Sequence, residues 1–529
     1  MMFWLLSACW ATRAAAIYTN ATLTKASEAL TTLQASRAVE DMLSEKPSYE
    51  GALVFLALDE AGADASLLEG TPYITGDDDG AVLEFLRGGD DVEDYASFVG
   101  ESLGDKLSAA TALLVPLAFD ATVDLQRARD IVLDYQLVPD ATMGGDDARG
   151  FVTALAGGGA SFYRQQTSVR TSDGSGGGAG WNDDYLRDGH KVAWSDDVFM
   201  GVLNAAVLVE HHDIEHGDAV AIATTLTNIT EGFLKVFGNL SHGFDLDEGV
   251  ASEASWSRAC GWAAVGLELA LGALLRLEDR GAAPMDAVSN AHIALVEYLD
   301  RVVALQDPAS GLWWQVMDAP DDERNYIETS GSSLIIAALA GLYNRGGLPK
   351  RLEEPLVKAA LALQEYVEDK GLAQSSRGTS IKARDYYFDL EPLEARKNDY
   401  VGAAVLAFAR VLAAPAPDLR LATPSSLPTR APTADMMTTP VPTAPSSMAQ
   451  AQSPTSAPAP APRPASDGGP DTTTASVAAG FAGIAIGTAV ILLGVFAARL
   501  RRKTRAPRTT FAGELHFFDE EFAAVDISK

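Results

Sequence analysis

Residues 256–277 read Trp-Ser-Arg-Ala-Cys-Gly-Trp-Ala-Ala-Val-Gly-Leu-Glu-Leu-Ala-Leu-Gly-Ala-Leu-Leu-Arg-Leu, and this stretch decides the fold. Its apolar residues recur at three- and four-residue intervals without strict alternation, so residues 257–277 are expected to form a helix rather than an exposed strand. The same spacing predicts helices over 23–43, 49–61, 106–119, 125–136, 197–212, 218–237, 285–305, 329–343, 351–366 and 400–412. With one or two shorter ones this makes about a dozen. Helices of similar length joined by loops of varied size fit hairpins closed into a ring, an α/α toroid; no fixed repeat period points to an open solenoid. The expected fold class is therefore all-α, with one globular domain over residues 18–413. The longest irregular stretch, 157–191, carries Asp-Gly-Ser-Gly-Gly-Gly-Ala-Gly at 173–180. Glycine clusters cradle phosphate in a strand-to-helix setting, and with no strand expected before this one it reads as a surface loop.

The 529-residue chain has a formal charge of −32. Such a field repels nucleic-acid phosphates, which argues against nucleic acid as a partner. Residues 1–16, a short apolar run closing on small residues, are expected to be a signal peptide. Of the two cysteines, Cys9 falls in that segment and Cys260 in the domain, so no intrachain disulfide is expected and stability must come from the core. Residues 414–474 are dominated by Pro, Thr, Ser and Ala and cannot bury a core; they read as an extended, O-glycosylated stalk. Residues 475–498 are uncharged, and at ~1.5 Å per residue they are long enough to cross a ~30 Å hydrocarbon layer. The basic run Arg-Leu-Arg-Arg-Lys-Thr-Arg at 499–505 then assigns the tail, 499–529, to the cytoplasmic side. The expectation is a single-pass type I membrane protein whose domain is extracellular or luminal. Asn20, Asn228 and Asn239 head Asn-x-Ser/Thr triplets on that side. Gly483 and Gly487 have the spacing that lets two spanning helices approach, and the oligomeric state stays open.

Three segments crowd polar and aromatic residues at predicted helix ends, where the cleft of a helical ring would open. Residues 194–200 are Trp-Ser-Asp-Asp-Val-Phe-Met. Here Ser195 or Asp196 caps the following helix, or Asp196 handles a proton beside an indole, Trp194, that stacks on a sugar. Neighbouring helical positions point about 100° apart, so Asp196 and Asp197 are not a facing acid pair. In residues 256–262, Arg258 and Trp262 stand at i and i+4 on one face, either as a fork for a carboxylate beside a platform for a ring or as packing at a helix boundary. His242, in Ser-His-Gly-Phe-Asp at 241–245, supplies an imidazole from a loop. Residues 306–316, Gln-Asp-Pro-Ala-Ser-Gly-Leu-Trp-Trp-Gln-Val, form a turn that leads into two tryptophans, and 325–333, Asn-Tyr-Ile-Glu-Thr-Ser-Gly-Ser-Ser, open another helix with a cap-rich sequence.

Taken in order, these segments resemble the unsaturated glycuronyl hydrolases, glycoside hydrolase families 88 and 105, and especially the unsaturated rhamnogalacturonyl hydrolases of the second. The resemblance runs from about residue 194 to 413, with Asn-Asp-Tyr-Val-Gly-Ala-Ala at 398–404 similar to the closing segment. It implies an (α/α)6 barrel, in agreement with the helix count. It also implies Asp196 as general acid/base, Trp194 as its aromatic neighbour, Arg258 and Trp262 as substrate-binding residues, and His242 in the subsite that holds the unsaturated uronate. Asp105 is similar to a second active-site aspartate. The family often has Gln where this chain has Val192, and the glycine-rich loop looks like an insertion, so a subsite contact differs. The implied substrate is an unsaturated uronyl oligosaccharide and the implied reaction is hydration of its C4=C5 double bond, with no cofactor and no metal. A catalytically inactive glycan-binding protein on the same scaffold is the alternative. A second rival is the H-x-x-E-H pattern of one class of zinc peptidases, spelled by His212-Asp-Ile-Glu-His216. Gly217 follows at once, so that segment reads as a helix C-terminus whose histidines suit the dipole.

Overall fold

The computed structural model of the protein describes residues 17–44, 49–62, 125–137, 152–155, 158–162, 164–165, 191–378, 381, 384–395 and 400–413. The expected signal peptide, stalk, spanning segment and tail lie outside these residues, as do the helix at 106–119, the glycine-rich run at 173–180 and Asp105.

Helices form where the apolar spacing puts them. They are α1 (Asn20–Gln34), α2 (Arg37–Ser44), α3 (Tyr49–Glu60), α4 (Leu125–Asp130), α5 (Asp197–His211), α6 (His216–Phe237), α7 (Ser257–Asp279), α8 (Met285–Val303), α9 (Thr329–Asn344), α10 (Glu353–Leu363), the short α11 (Arg384–Phe388) and α12 (Val401–Leu412). The helix expected over 23–43 is two: the Ala35 N–H closes α1 on the carbonyls of Thr31 and Leu33, and Ser36 Oγ accepts from Val39 N to start α2. Past α4 the chain widens into a π-turn, Ile131–Gln136.

These helices lie in two layers. Within the inner layer α5, α7, α9, α12 and α3 pack side by side in that order, while α6, α8, α10 and α1 lie outside them. Sequence patterning explains the division. Inner α7 is buried almost all round, whereas outer α8 buries a stripe through Ala287, Val288, Ala291, Leu295, Leu299 and Val302. Close inner contacts need glycine: a Cβ on Gly266 of α7 would stand 2.5 Å from the Phe199 backbone nitrogen of α5. At the far end, Arg410 of α12 is nearly sealed from solvent. It donates to both oxygens of Glu60 on α3 at 2.6 and 2.8 Å and lies 2.8 Å from Glu268 on α7. Among the described residues one helix, α7, is long and apolar enough to cross a membrane, and 94% of its apolar window is buried by its neighbours. It is the core helix of the domain.

The all-α expectation needs one correction. Short antiparallel strands accompany the helices: a hairpin of β1 (Val152–Ala154) and β2 (Ala160–Phe162), then a four-stranded sheet in the order β3 (Arg164–Gln165), β4 (Lys191–Trp194), β5 (Gly243–Asp245) and β6 (Val250–Ala251), then a hairpin of β7 (Val367–Glu368) and β8 (Gly371–Leu372). At two to four residues each they are too short for alternation to register in the sequence. A strand, β3, therefore does precede the glycine-rich run.

Candidate active site

Tyr49 begins α3, Asp197 α5, Ser257 α7, Thr329 α9 and Val401 α12. Direct contacts bring these starts together. The hydroxyl of Tyr49 is 3.3 Å from that of Tyr400, Arg258 Cζ is 3.6 Å from the Tyr400 ring centre, and Ser257 Oγ donates to Glu328 at 3.1 Å. The inner helices thus run parallel, with their positive dipole ends at one end of the layer. In a strongly acidic chain, this is where an anion is best accommodated.

β-Pairing unites Asp196 with His242. β4 pairs with β5 so that Trp194 stands opposite Gly243, and the Ser195 N–H donates to the His242 carbonyl at 2.9 Å. His242 Nε2 then faces Asp196 Oδ1 at 3.8 Å, with the imidazole fully buried and the carboxyl side chain 11% exposed. Rings enclose the imidazole, with centroids 5.5 Å away for Trp194 and 4.8 Å for Trp256. Its Nδ1 lies 2.6 Å from the hydroxyl of Tyr387, on α11.

This geometry overturns the capping role considered for residues 195 and 196. Asp196 already has helical backbone angles, and its side chain makes no capping hydrogen bond. Ser195 Oγ instead donates to the His242 carbonyl at 3.2 Å. The Asp197 carboxylate turns back to accept the Trp194 N–H at 3.0 Å, so the two acids act apart, as their spacing required.

Arg258 is placed differently from the fork that its position in the sequence suggested. It is buried, with its guanidinium between the rings of Trp256 and Tyr400 at 4.4 and 3.6 Å, and it donates to the carbonyls of Ser376 and Arg377 at 2.5 and 2.6 Å. Trp262 does share its side of the helix, but it is sealed in the core against Phe199 and Tyr49, with ring centres at 4.5 and 5.9 Å. It backs the site rather than presenting a platform. Glu328, read as part of a cap-rich start, caps α9 by accepting from the N–H groups of Ser330 and Gly331 at 3.1 and 2.5 Å. The same carboxylate takes Ser376 N–H at 2.9 Å, and Thr329 Oγ1 donates to the Ala373 carbonyl at 2.7 Å. Residues 373–377 are thereby strapped across the starts of α7 and α9.

Other expectations resolve more simply. His242 lies in the bend just before β5, with its backbone bonded to Ser195 and Ala254. Val192 is buried with Ile381, and Trp194 packs against both, so the position where the family often has Gln is apolar here. Asn239 is exposed and accepts from Ser241 Oγ at 2.9 Å, whereas His242 is fully buried. Cys260 is buried, which pushes its thiol up to about 12, far from a working nucleophile. The two outer histidines of the H-x-x-E-H pattern lie on different elements: His212 is the extended residue that ends α5, and His216 is the first of α6. That corrects their reading as one helix C-terminus and removes the single-helix geometry the zinc motif requires. Among the described residues no group of three His, Cys, Asp or Glu could hold a metal ion.

Residues 181–414, which include every one of these site residues except Tyr49, match the sequence model of Glycosyl Hydrolase Family 88. Over this stretch the chain is similar to glycosyl hydrolase family 88. The chain is thus a glycoside hydrolase, and the strapped starts of α7 and α9 lie within the matched residues. Similar solved structures include a family 105 glycoside hydrolase from C. acetobutylicum, at 17% identity over 71% of this chain and 98% of that one with a TM-score of 0.42. A family 88 glycosyl hydrolase from Bacteroides vulgatus matches at 15% identity over 73% of this chain and 99% of that one, TM-score 0.41. The unsaturated glucuronyl hydrolase of a Bacillus species matches at 14% identity over 68% and 96%, TM-score 0.33. These likenesses are distant, and the family match carries the assignment.

Proposed function

We propose that this hydrolase removes an unsaturated uronyl residue from the end of an oligosaccharide by hydrating its C4=C5 double bond, with Asp196 as the acid. The observation that carries this is the buried Asp196 carboxyl facing His242, whose imidazole is enclosed by indole rings, at the end where the helix dipoles favour an anion. Hydration needs this acid to start protonated. The proton of Asp196 goes to C4 and forms the new C–H bond with the π electrons. Positive charge develops at C5, shared with the ring oxygen, and water adds there. The water's proton passes to the Asp196 carboxylate, which restores the acid. The product is a hemiketal that opens and releases the neighbouring sugar. One acid suffices, which agrees with Asp197 being turned away to Trp194.

Within this reading Trp194, Arg258, Trp262, His242 and Asp105 belong to the substrate site, Arg258 and Trp262 by shaping it from behind. We read the two-layered helix array as inner and outer wall of an (α/α)6 barrel. We also propose that the domain stands outside a membrane, carried by the stalk and the span at 475–498; the uncharged run followed by a basic block supports this.

Running the reaction in heavy water tests the chemistry. Hydration puts one deuterium at C4 of the released sugar; displacement at the anomeric carbon would leave C4 without deuterium and the double bond intact.

A further inference from the structure

We propose that Tyr387 is a positioning residue for this reaction: its phenol donates to His242 Nδ1 and fixes the imidazole as the neutral Nε2–H tautomer facing Asp196. The proposal rests on the reading of Asp196 as the proton donor. The contact is 2.6 Å long, within the range of O–H donors and below the usual range of N–H···O bonds. Tyr387 and His242 are both fully buried. An imidazole sealed from water resists charging, and one whose Nδ1 already accepts a hydrogen bond resists it further.

The consequence falls on Asp196. At 3.8 Å the imidazole is too far to hydrogen-bond the carboxyl but close enough to form an ion pair with it. A charged His242 would hold Asp196 as a carboxylate and leave it without the proton that C4 must receive. A neutral one lets the acid keep it. Among the other groups near the pair the fixed cation is Arg258, which Tyr387→Phe leaves in place. Cys260 and Tyr298, from α7 and α8, are buried and stay neutral, Asp197 is bonded to the Trp194 N–H, and Arg258 stacks on Trp256. Asp318, in the turn bonded to Ser255, is the remaining acid nearby.

Two measurements on the full chain test this. Nitrogen-15 NMR of labelled histidine, with His242 assigned by its loss in His242→Gln, should show a neutral Nε2–H ring at pH 7; an Nδ1–H or doubly protonated ring would overturn the proposal. That spectrum needs no turnover, so an inactive protein would count against the hydrolase reading alone. In Tyr387→Phe, which keeps the ring packing, the alkaline limb of the kcat/KM profile should move down by about one pH unit. A lower rate with an unmoved limb would make Tyr387 merely structural and overturn the proposal.

Discussion

Arg258 donates to the Ser376 carbonyl at 2.5 Å, so the cation nearest the site is spent on main chain rather than held out to a carboxylate. Lysine keeps the charge but cannot reach two carbonyls while lying flat between two rings. Arg258→Lys should therefore cost about 2 kcal/mol of stability, the worth of a charge-assisted hydrogen bond. Denaturant titration reads this directly, and an unchanged midpoint would mean that the strap at 373–377 is held by other bonds.

Glu328 anchors the same strap from the other side. Gln at this position keeps the shape but turns an acceptor oxygen toward donors as an N–H₂ group, so Glu328→Gln should lose about 2–3 kcal/mol. Its effect should overlap that of Arg258→Lys, because both bind Ser376. A double variant whose loss equals the sum of the two would show that the two anchors are independent.

At the opposite end of the inner helices, Glu268 predicts an acid-side dependence. Burial alone would raise its carboxyl, but Arg410 and Arg345 beside it outweigh that and hold it below the ordinary glutamate range. Because the folded value is the lower one, this contribution is complete above the unfolded glutamate value of about 4.3 and is lost as pH falls through the folded value. Glu268→Gln should cost about 3 kcal/mol at neutral pH by leaving buried Arg410 less compensated. It should also flatten the fall in stability on acidification. Parallel acid curves for the two proteins would contradict the depressed carboxyl.

What the sequence made legible follows from range. The periodicity of 257–277 located α7 to within two residues at its end, because helix spacing is local. Asp196, His242 and Glu328 could be singled out from short motifs. Tyr387 was missed: it lies 145 residues from His242 on a five-residue helix, with no spacing to announce the contact. Arg258 was found but misjudged, since its partners are backbone carbonyls 118 and 119 residues away, and a carbonyl has no sequence signature. The strands were lost because two to four residues cannot display a period.

The H-x-x-E-H segment offers a separate check. His212 and His216 fall on either side of a helix break, so stripping divalent metal should leave both turnover and stability unchanged. Stoichiometric zinc in the purified protein, with activity lost on chelation, would contradict the single-acid chemistry.

The most direct measurement is ultraviolet absorbance of the C4=C5 double bond while the full chain is incubated with unsaturated uronyl disaccharides. The absorbance should fall steadily with the unsubstituted protein and hold constant with Asp196→Asn, which should still bind the sugar. Binding without loss of absorbance by the unsubstituted protein would contradict the account and leave a glycan-binding protein on a hydrolase scaffold.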